Sequence, residues 1–389
     1  MPTLPERATS ILSVMAHHQA SGLHAPSSAG AGEKPVFDWL AIVEAQRPGA
    51  KSESQQRQAM RFQRVRAELA QWAEEHGVSG EHIEESAFYA TVCTTAATPA
   101  GQALGLALVV FWIYLLDDFL DRRDAAELAR SARGSTVPAV LVRDLRTALE
   151  PLGTMSRALP SPSGAVRGEA PADALRVASA LRGVLEVLDA EWSRLPDRRV
   201  WGFRRALVAR QLALCAAAML REVGWNVAFA RDTSGRGRDL PSFATYLRNG
   251  TVSIGMPAVA ATAASFELRP REAWKRAYLA IAAGGAVVRL TNDLHTYFAD
   301  VTEGKVTSVT LRLLALGFAP AGHDPDTSPE VRVAQTFLSQ DLTTAVSAFS
   351  VGQAGLVDGP LALCTRHAVA FALAVYGDGS RHRRGGQAA

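Results

Sequence analysis

Apolar residues recur at three- and four-residue spacing along most of this chain. The spacing is clearest at 54–75, 172–194 and 199–230, which are rich in Ala, Leu, Arg and Glu. It predicts amphipathic α-helices, because residues three and four apart share one helix face. Strand patterns are nearly absent, and no repeat of fixed period is visible. We therefore predict an all-α fold, a single bundle of roughly ten helices.

The two ends of the chain differ from its middle. Residues 20–35 are small, polar and rich in Gly and Pro, so we expect residues 1–35 to form a disordered extension. The basic run 381–384 follows two glycines, so we expect 377–389 to be a flexible, solvated tail. The helical domain is then expected to span 36–376. Surface loops within this domain are expected at the Gly-, Pro-, Ser- and Asp-rich breaks 151–172, 231–241 and 318–329.

Composition narrows the class of protein. Of 389 residues, 48% are hydrophobic and 20% are charged, which supports a large buried core. The net charge of +3 is too balanced to predict a nucleic-acid surface. The three cysteines, Cys93, Cys215 and Cys364, lie far apart and form no zinc-site spacing, so we expect buried, reduced thiols.

The apolar segments do not predict membrane insertion or export. Residues 1–20 lack the charged start, apolar run and cleavage site of a secretory signal, so we expect a cytoplasmic protein. The most apolar run, 103–116, has the length of a buried core helix and ends in acidic residues. We predict a core helix there and no membrane span.

That apolar run leads directly into a cluster of aspartates, in the sequence FWIYLLDDFLDRRD. Asp117 and Asp121 are four residues apart and share one helix face, with Asp118 about 100° to the side. Like charges at this spacing repel unless a cation bridges them. Ligands that are all oxygen favour Mg²⁺ or Mn²⁺, and Mg²⁺ commonly shares its shell with substrate phosphates. The alternative is a solvated helix end, with the acids balanced by Arg122 and Arg123.

A second polar face follows the small, apolar run IAAGGAVV far downstream. Asn292, Thr296 and Asp300 lie at i, i+4 and i+8, which places an amide, a hydroxyl and a carboxylate on one helix face. Arg289 and Lys305 flank them and are candidates for contacting phosphate oxygens. The alternative is an ordinary solvent-exposed face, which the flanking apolar run disfavours.

The two clusters together resemble the motifs of class I terpene synthases. Residues Asp117 to Asp121 are similar to the DDxxD motif, and Asn292 to Asp300 are similar to (N/D)DxxSxxxE, in the usual order and about 170 residues apart. The resemblance implies a helical bundle around an apolar cavity, with Asp117, Asp118 and Asp121 catalytic. It also implies three Mg²⁺ ions, or Mn²⁺ instead, held by Asp117, Asp121, Asn292, Thr296 and Asp300.

Finer matches bear on the substrate. Residues Glu303 to Leu311 resemble the EGKxxxVxL continuation of plant diterpene synthases, and Arg289 stands where many plant enzymes carry an arginine. The segment YLRNGTVSIG resembles the segment with the diphosphate-sensing arginine, which makes Arg248 a candidate for catalysis and diphosphate binding beside Arg289 and Lys305. Two departures are Asp300, where the family usually has Glu, and the lack of an Arg-Tyr pair near the C-terminus.

The function this resemblance implies is Mg²⁺-dependent ionisation of a C20 prenyl diphosphate, either geranylgeranyl diphosphate or a labdane-type diphosphate such as copalyl diphosphate, followed by cyclisation. A sesquiterpene synthase acting on farnesyl diphosphate is the first alternative. A prenyl diphosphate synthase should carry a second DDxxD, and a class II cyclase a DxDD motif; neither is present. A non-catalytic helical protein that binds prenyl diphosphates is the remaining alternative.

Other partners and wall residues stay open from the sequence. A homodimer is one option, as is an upstream class II cyclase or prenyl diphosphate synthase that supplies the substrate. Aromatic faces can stabilise a carbocation. The candidates, for each of which plain core packing is the alternative, are Phe88, Tyr89, Phe111, Trp225 and Tyr297.

Overall fold

The computed structural model describes residues 53–95, 97–121, 172–232, 237, 239–319 and 328–376. The predicted extension 1–35, the start of the predicted domain at 36–52 and the tail 377–389 lie outside these ranges. Within them the chain is helical and contains no strand, as predicted. The helices are α1 (Glu53–Glu75), α2 (Ile83–Val92), α3 (Ala100–Asp121), α4 (Ala172–Ser193), α5 (Trp201–Arg231), α6 (Phe243–Ser253), α7 (Met256–Ser265), α8 (Pro270–Thr302), α9 (Ser308–Ala315), α10 (Pro329–Gln353) and α11 (Pro360–Tyr376).

Two long helices, α3 and α8, carry the aspartate cluster and the second polar face. Helix α3 packs against α1, α2, α4 and α7, and α8 packs against α6, α7, α10 and α11. Helix α5 contacts α6 and α7 and touches both α3 and α8. The two helices that carry the predicted polar faces therefore belong to one bundle, with α5 beside both.

Helix α3 confirms the prediction of a core helix at 103–116. Its apolar residues are buried on nearly every side, among them Leu108, Phe111, Trp112 and Leu116. Length and composition alone would allow α3 and the stretch Arg198–Arg231 to cross a membrane, but 67% and 56% of their most apolar windows are buried inside the bundle. The three cysteines are free and buried, as expected.

A sharp break separates α6 from α7. It occurs at Gly255, whose φ of 78° lies in the left-handed region that favours glycine. A Cβ at Gly255 would lie 2.7 Å from Ile113 Cδ1, so glycine also allows close approach to α3. The new helix begins with Pro257 in its first turn, where a missing N–H is tolerated. This break brings the end of α6 to the wall of the central cavity.

Candidate active site

A cavity of about 240 Å³ opens among α2, α3, α5, α8, α11 and the α6–α7 break. Both predicted clusters contribute to its wall. The polar lining residues are Asp117, Asp121, Glu222, Asn226, Ser253, Arg289, Asn292, Asp300 and Lys305. The rest of the wall is largely apolar, with Val110, Ile113, Met219, Val223, Met256, Val259, Val288, Ala368, Phe371 and Ala372 among its residues. The cavity thus joins an acidic and basic rim to a hydrocarbon-like interior.

The aspartates of α3 take different positions. Asp117 and Asp121 line the cavity, whereas Asp118 lies to the side, where His82 Nε2 is 3.0 Å from its Oδ2. The side chain of Asp117 is exposed to the cavity, but the other residues of the cavity wall surround it. Desolvation, followed by the like charge of Asp121, raises the pKa of Asp117 to about 7. A cation bound beside Asp117 and Asp121 would offset the repulsion between the two carboxylates.

The polar face of α8 reaches the same cavity at two of its three predicted positions. Asn292 and Asp300 line the wall. Thr296 lies between them, where its hydroxyl donates to the Asn292 carbonyl at 3.0 Å and to the Asp300 carboxylate. Burial raises the pKa of Asp300 to about 6, although the Thr296 hydrogen bond lowers it. The predicted triad is therefore contiguous, with its Thr hydroxyl engaged by its own neighbours.

Lys305 connects the two clusters. Its Nζ lies 2.7 Å from Asp121 Oδ2 on α3 and 2.8 Å from Glu303 Oε2. Gly304, with a φ of 74°, turns the chain after α8 so that Lys305 reaches across the rim. Burial lowers the pKa of Lys305, but Asp121 and Glu303 raise it to a net value above its usual range. Lys305 therefore remains charged at the rim.

Arg289 lies at the centre of a buried polar network. Its Nη1 lies 3.2 Å from Glu222 Oε2, its Nε 3.0 Å from Asp293 Oδ1, and its guanidinium also donates to Tyr246 Oη. Tyr246 Oη donates to Asp293 at 2.9 Å. Desolvation lowers the pKa of Arg289, but Asp293 and Glu222 outweigh it, so the net pKa lies above its usual value. Asp293 is 1% exposed and lies within this network.

Arg248, a predicted diphosphate-binding residue, is not among the residues that line the cavity. Its side chain is exposed, and its Nη2 lies 3.4 Å from Thr245 Oγ1. The buried face of α6 consists of Tyr246, Asn249, Gly250 and Ser253, spaced three and four residues apart. Position 248 falls off that face. The cations that line the cavity are Arg289 and Lys305.

The aromatic candidates divide in the same way. Tyr89 lines the cavity, and its ring lies 5.7 Å from the ring of Phe371, in an edge-to-face arrangement. Phe88 and Phe111 are core residues. Trp225 packs beside Tyr246, and Tyr297 belongs to a separate cluster between α8, α9 and α10. Core packing therefore accounts for four of the five candidates.

Sequence reasoning missed several wall residues. Glu222 and Asn226 come from α5, where no motif marks them, and Tyr114 and Phe371 come from α3 and α11. Only the i, i+4 spacing of Glu222 and Asn226 signals that they share a helix face. Their role depends on contacts with α6, α8 and the loop at Lys305, which the sequence alone does not display.

The donor atoms of the rim fit a hard divalent cation. Asp117, Asp121, Asn292 and Asp300 offer only oxygen to an ion, the donor type that Mg²⁺ and Mn²⁺ prefer. In the described part of the chain, no three His, Cys, Asp or Glu side chains converge as they do in a closed metal centre. Mg²⁺ usually takes one or two carboxylates and fills the rest of its shell with waters and substrate phosphates.

The fold and the cavity define an all-α terpene synthase of class I architecture. Residues 109–313, just over half of the chain, match the family model described as terpene synthase family 2, C-terminal metal binding. The chain belongs to this family of enzymes, and the matched range includes both the aspartate cluster and the second polar face.

Solved structures agree in fold. Linalool/nerolidol synthase from Streptomyces clavuligerus is similar with a TM-score of 0.53 and 17% identity, over 80% of this chain and 95% of that chain. The structure of that enzyme in complex with 2-fluorogeranyl diphosphate is similar with a TM-score of 0.50 and 18% identity, over 82% of this chain and 95% of that chain. Comparison with curated protein sequences gave no match.

Proposed function

We propose that this terpene synthase ionises a C20 prenyl diphosphate with Mg²⁺ and cyclises the resulting carbocation to a diterpene. The observation that carries the proposal is the composition of the cavity. Oxygen donors from α3 and α8 meet two cations, Arg289 and Lys305, at the rim of an apolar chamber. A diphosphate needs the cations and donors, and a prenyl chain needs the apolar wall.

Different rim residues would bind the metal and the diphosphate leaving group. Asp117 and Asp121 on α3, with Asn292, Thr296 and Asp300 on α8, would hold Mg²⁺. When bound, Mg²⁺ neutralises the charge that develops as diphosphate departs. Arg289 and Lys305 donate to the diphosphate oxygens that the metal leaves free. Asp118 supports α3 through its contact with His82.

The wall residues govern the carbocation. Aliphatic side chains such as Val110, Ile113 and Val259 offer no nucleophile and exclude water. The faces of Tyr89 and Phe371 stabilise positive charge through their quadrupoles. The described wall has no His, and its Glu222 is hydrogen-bonded on both oxygens. The released diphosphate is the base that we propose for the last step.

The C20 substrate rests on the stretch from Glu303 to Leu311. In this stretch Gly304 makes the turn, Lys305 reaches Asp121, and Val309 and Leu311 are buried. Its resemblance to plant diterpene synthases therefore extends to residues that build the rim. Farnesyl diphosphate is the second candidate, because the similar enzyme is a linalool/nerolidol synthase, and nerolidol has fifteen carbons, as the farnesyl group does.

The direct test is incubation of the protein and Mg²⁺ with one prenyl diphosphate at a time, followed by mass spectrometry of the organic extract. The panel is geranylgeranyl, copalyl, farnesyl and geranyl diphosphates. A diterpene from either C20 substrate, at a kcat/KM above those of the shorter diphosphates, supports the proposal. Turnover of farnesyl diphosphate alone would replace it with a sesquiterpene synthase. No hydrocarbon or alcohol from any of them would overturn it.

A further inference from the structure

Helix α5 contributes two polar residues to the rim, although it carries neither motif. Glu222 and Asn226 are four residues apart and therefore lie on one helix face, and both line the cavity. We call this pair the α5 bracket. Each member is bonded to the element that carries one of the two cations of the rim. The role of the pair rests on the proposed function, because it concerns the same diphosphate.

Glu222 is bonded to α6 and α8 at the same time. Its Oε1 accepts from Asn249 Nδ2 at 3.1 Å and from the Ser253 hydroxyl, and its Oε2 accepts from Arg289 Nη1 at 3.2 Å. Asn249 is itself held by Arg221 Nε at 2.7 Å. Both carboxylate oxygens are thus engaged by protein donors. A carboxylate has about four acceptor sites, and these three donors occupy three of them, an arrangement that suits a residue that orients Arg289.

Arg289 retains donors for a ligand in this arrangement. A guanidinium has five N–H groups. One on Nε is used by Tyr246 and Asp293, one on Nη1 by Glu222 and one on Nη2 by Tyr246, which leaves two of the five. Arg289 also lines the cavity. Its fixed side bonds to the protein, and its two remaining N–H groups suit a diphosphate oxygen.

The lack of a side chain at Gly250 leaves the space that the Arg289 side chain occupies. A Cβ at position 250 would lie 2.7 Å from Arg289 Cγ and 3.0 Å from its Cδ and Nε. Any larger residue at position 250 would therefore displace Arg289 from its hydrogen-bond partners. Gly250 is inside α6, where glycine weakens a helix, so the close approach gives a physical reason for it.

Asn226 acts on the second cation through the backbone. Its Oδ1 accepts from the Val306 N–H at 2.9 Å, immediately after Lys305. Tyr246 Oη donates to the Val306 carbonyl at 3.2 Å, so both sides of this residue are fixed by the polar network. The loop that carries Lys305 is therefore anchored to α5 at one point and to α6 at another.

We propose that the α5 bracket, Glu222 and Asn226, is a pair of positioning residues that set Arg289 and Lys305 for the diphosphate. Glu222 holds the Arg289 guanidinium directly, and Asn226 holds the Lys305 loop through Val306. Neither residue touches the reacting carbon. Their removal should weaken diphosphate binding more than Mg²⁺ binding.

The first experiment is calorimetry on the full chain, with Mg²⁺ alone and with inorganic diphosphate at saturating Mg²⁺. Glu222→Gln should raise the Kd of diphosphate about tenfold, as expected for loss of a charge-assisted hydrogen bond, and change the Kd of Mg²⁺ less than about twofold. In an Arg289→Ala background the same substitution should add less than about twofold, because its target is gone. Asp189→Asn is the matched control, since it breaks an ion pair with Arg205 at 3.3 Å away from the cavity wall.

Three results separate the alternatives. If the wild-type protein fails to bind diphosphate with Mg²⁺, the proposed function falls. If it binds and Glu222→Gln weakens Mg²⁺ alone, or acts equally with and without Arg289, Glu222 is not a positioning residue. Glu222→Asp keeps the charge one methylene farther back and should give an intermediate Kd. If Glu222→Gln does not fold, the Glu222→Asp variant is measured in its place.

The second experiment measures hydrogen exchange at residues 303–308. Asn226→Leu removes the acceptor of the Val306 N–H, so exchange there should accelerate at least about tenfold. Diphosphate affinity should fall in parallel. Glu222→Gln should leave this loop unchanged, which makes each variant the control for the other. Unchanged exchange in Asn226→Leu would overturn the proposal that Asn226 positions the Lys305 loop.

Discussion

Lys305 Nζ lies 2.7 Å from Asp121 Oδ2, and this ion pair joins two residues that are 184 positions apart in the chain. Asp121 ends α3, and Lys305 follows α8 by one short turn. The contact ties the aspartate-rich motif to the EGK stretch, two features that the sequence presents separately. It also places a cation beside carboxylates that are proposed to bind Mg²⁺.

Replacing Lys305 by Met should weaken substrate binding more than it lowers the stability of the fold. The ion pair is partly exposed, so the free energy of unfolding should change by less than about 1 kcal/mol. The lost donor should lower kcat/KM for the prenyl diphosphate by about tenfold or more. Lys305→Arg should recover part of the loss, and exposed Lys275→Met should have no effect. Unchanged kcat/KM in Lys305→Met would remove Lys305 from the diphosphate site.

Substituting Gly250 by Ala should disturb Arg289 while α6 stays helical. The new methyl group would lie 2.7 Å from Arg289 Cγ, so the arginine must move from Glu222 and Tyr246. We expect kcat/KM to fall at least about tenfold, with unchanged helical content by circular dichroism. Gly202→Ala is the control, because a Cβ there meets no atom within 4 Å. It should stabilise α5 by about 0.5–1 kcal/mol. Equal activities in the two variants would contradict the close approach.

Stability of the metal-free protein should depend on the ionisation of Asp117. Its pKa is raised to about 7 in the folded state, against about 3.9 when unfolded. A raised carboxyl pKa favours the protonated folded state, so this contribution is full below about pH 4 and is lost as the pH rises to about 7. Urea unfolding from pH 4 to pH 8 should therefore show a decline in wild type that is smaller in Asp117→Asn.

Mg²⁺ should reverse that decline, because it binds the ionised carboxylate. The midpoint of thermal unfolding should rise more with Mg²⁺ at pH 8 than at pH 5. Asp117→Asn should lose most of this increment. Identical pH profiles for wild type and Asp117→Asn would contradict the account of the cluster.

The aromatic pair in the wall should influence products more than turnover. Tyr89→Leu and Phe371→Leu each remove a ring face from the cavity, so cation intermediates lose a stabilising contact of about 0.5–2 kcal/mol. Diphosphate release should stay within a few-fold of wild type while the product ratio changes by gas chromatography. Phe62→Leu, a core substitution outside the cavity wall, should reduce stability and keep the ratio. An unchanged ratio in both wall variants would leave these rings as packing only.

The sequence was sufficient for the fold class and for the two polar faces, for local physical reasons. Helical spacing depends only on neighbours in the chain, so α3 and α8 could be predicted with the residues on each face. The resemblance then placed the faces opposite one another. The same local rule indicates that Arg248 lies off the inward face of α6, which Tyr246, Asn249, Gly250 and Ser253 form.

The rest of the rim depends on tertiary contacts. Glu222 and Asn226 gain their roles only because α5 passes beside α6, α8 and the Lys305 loop. His82 reaches Asp118 across 36 residues, and nothing in the sequence around His82 indicates that it pairs with the aspartate motif. The cavity wall likewise combines residues from α2, α3, α5, α7 and α11. Such contacts follow from packing, which residue spacing does not encode.

The most direct measurement is release of inorganic diphosphate from geranylgeranyl diphosphate, with and without Mg²⁺, for wild type, Asp117→Ala and Asn292→Ala. Helical content by circular dichroism should be the same for all three proteins. The account predicts release by wild type only when Mg²⁺ is present. Each variant should lose at least about a hundredfold in rate, because each removes an oxygen donor from one side of the rim. Wild-type rates in both variants would contradict the metal and diphosphate site.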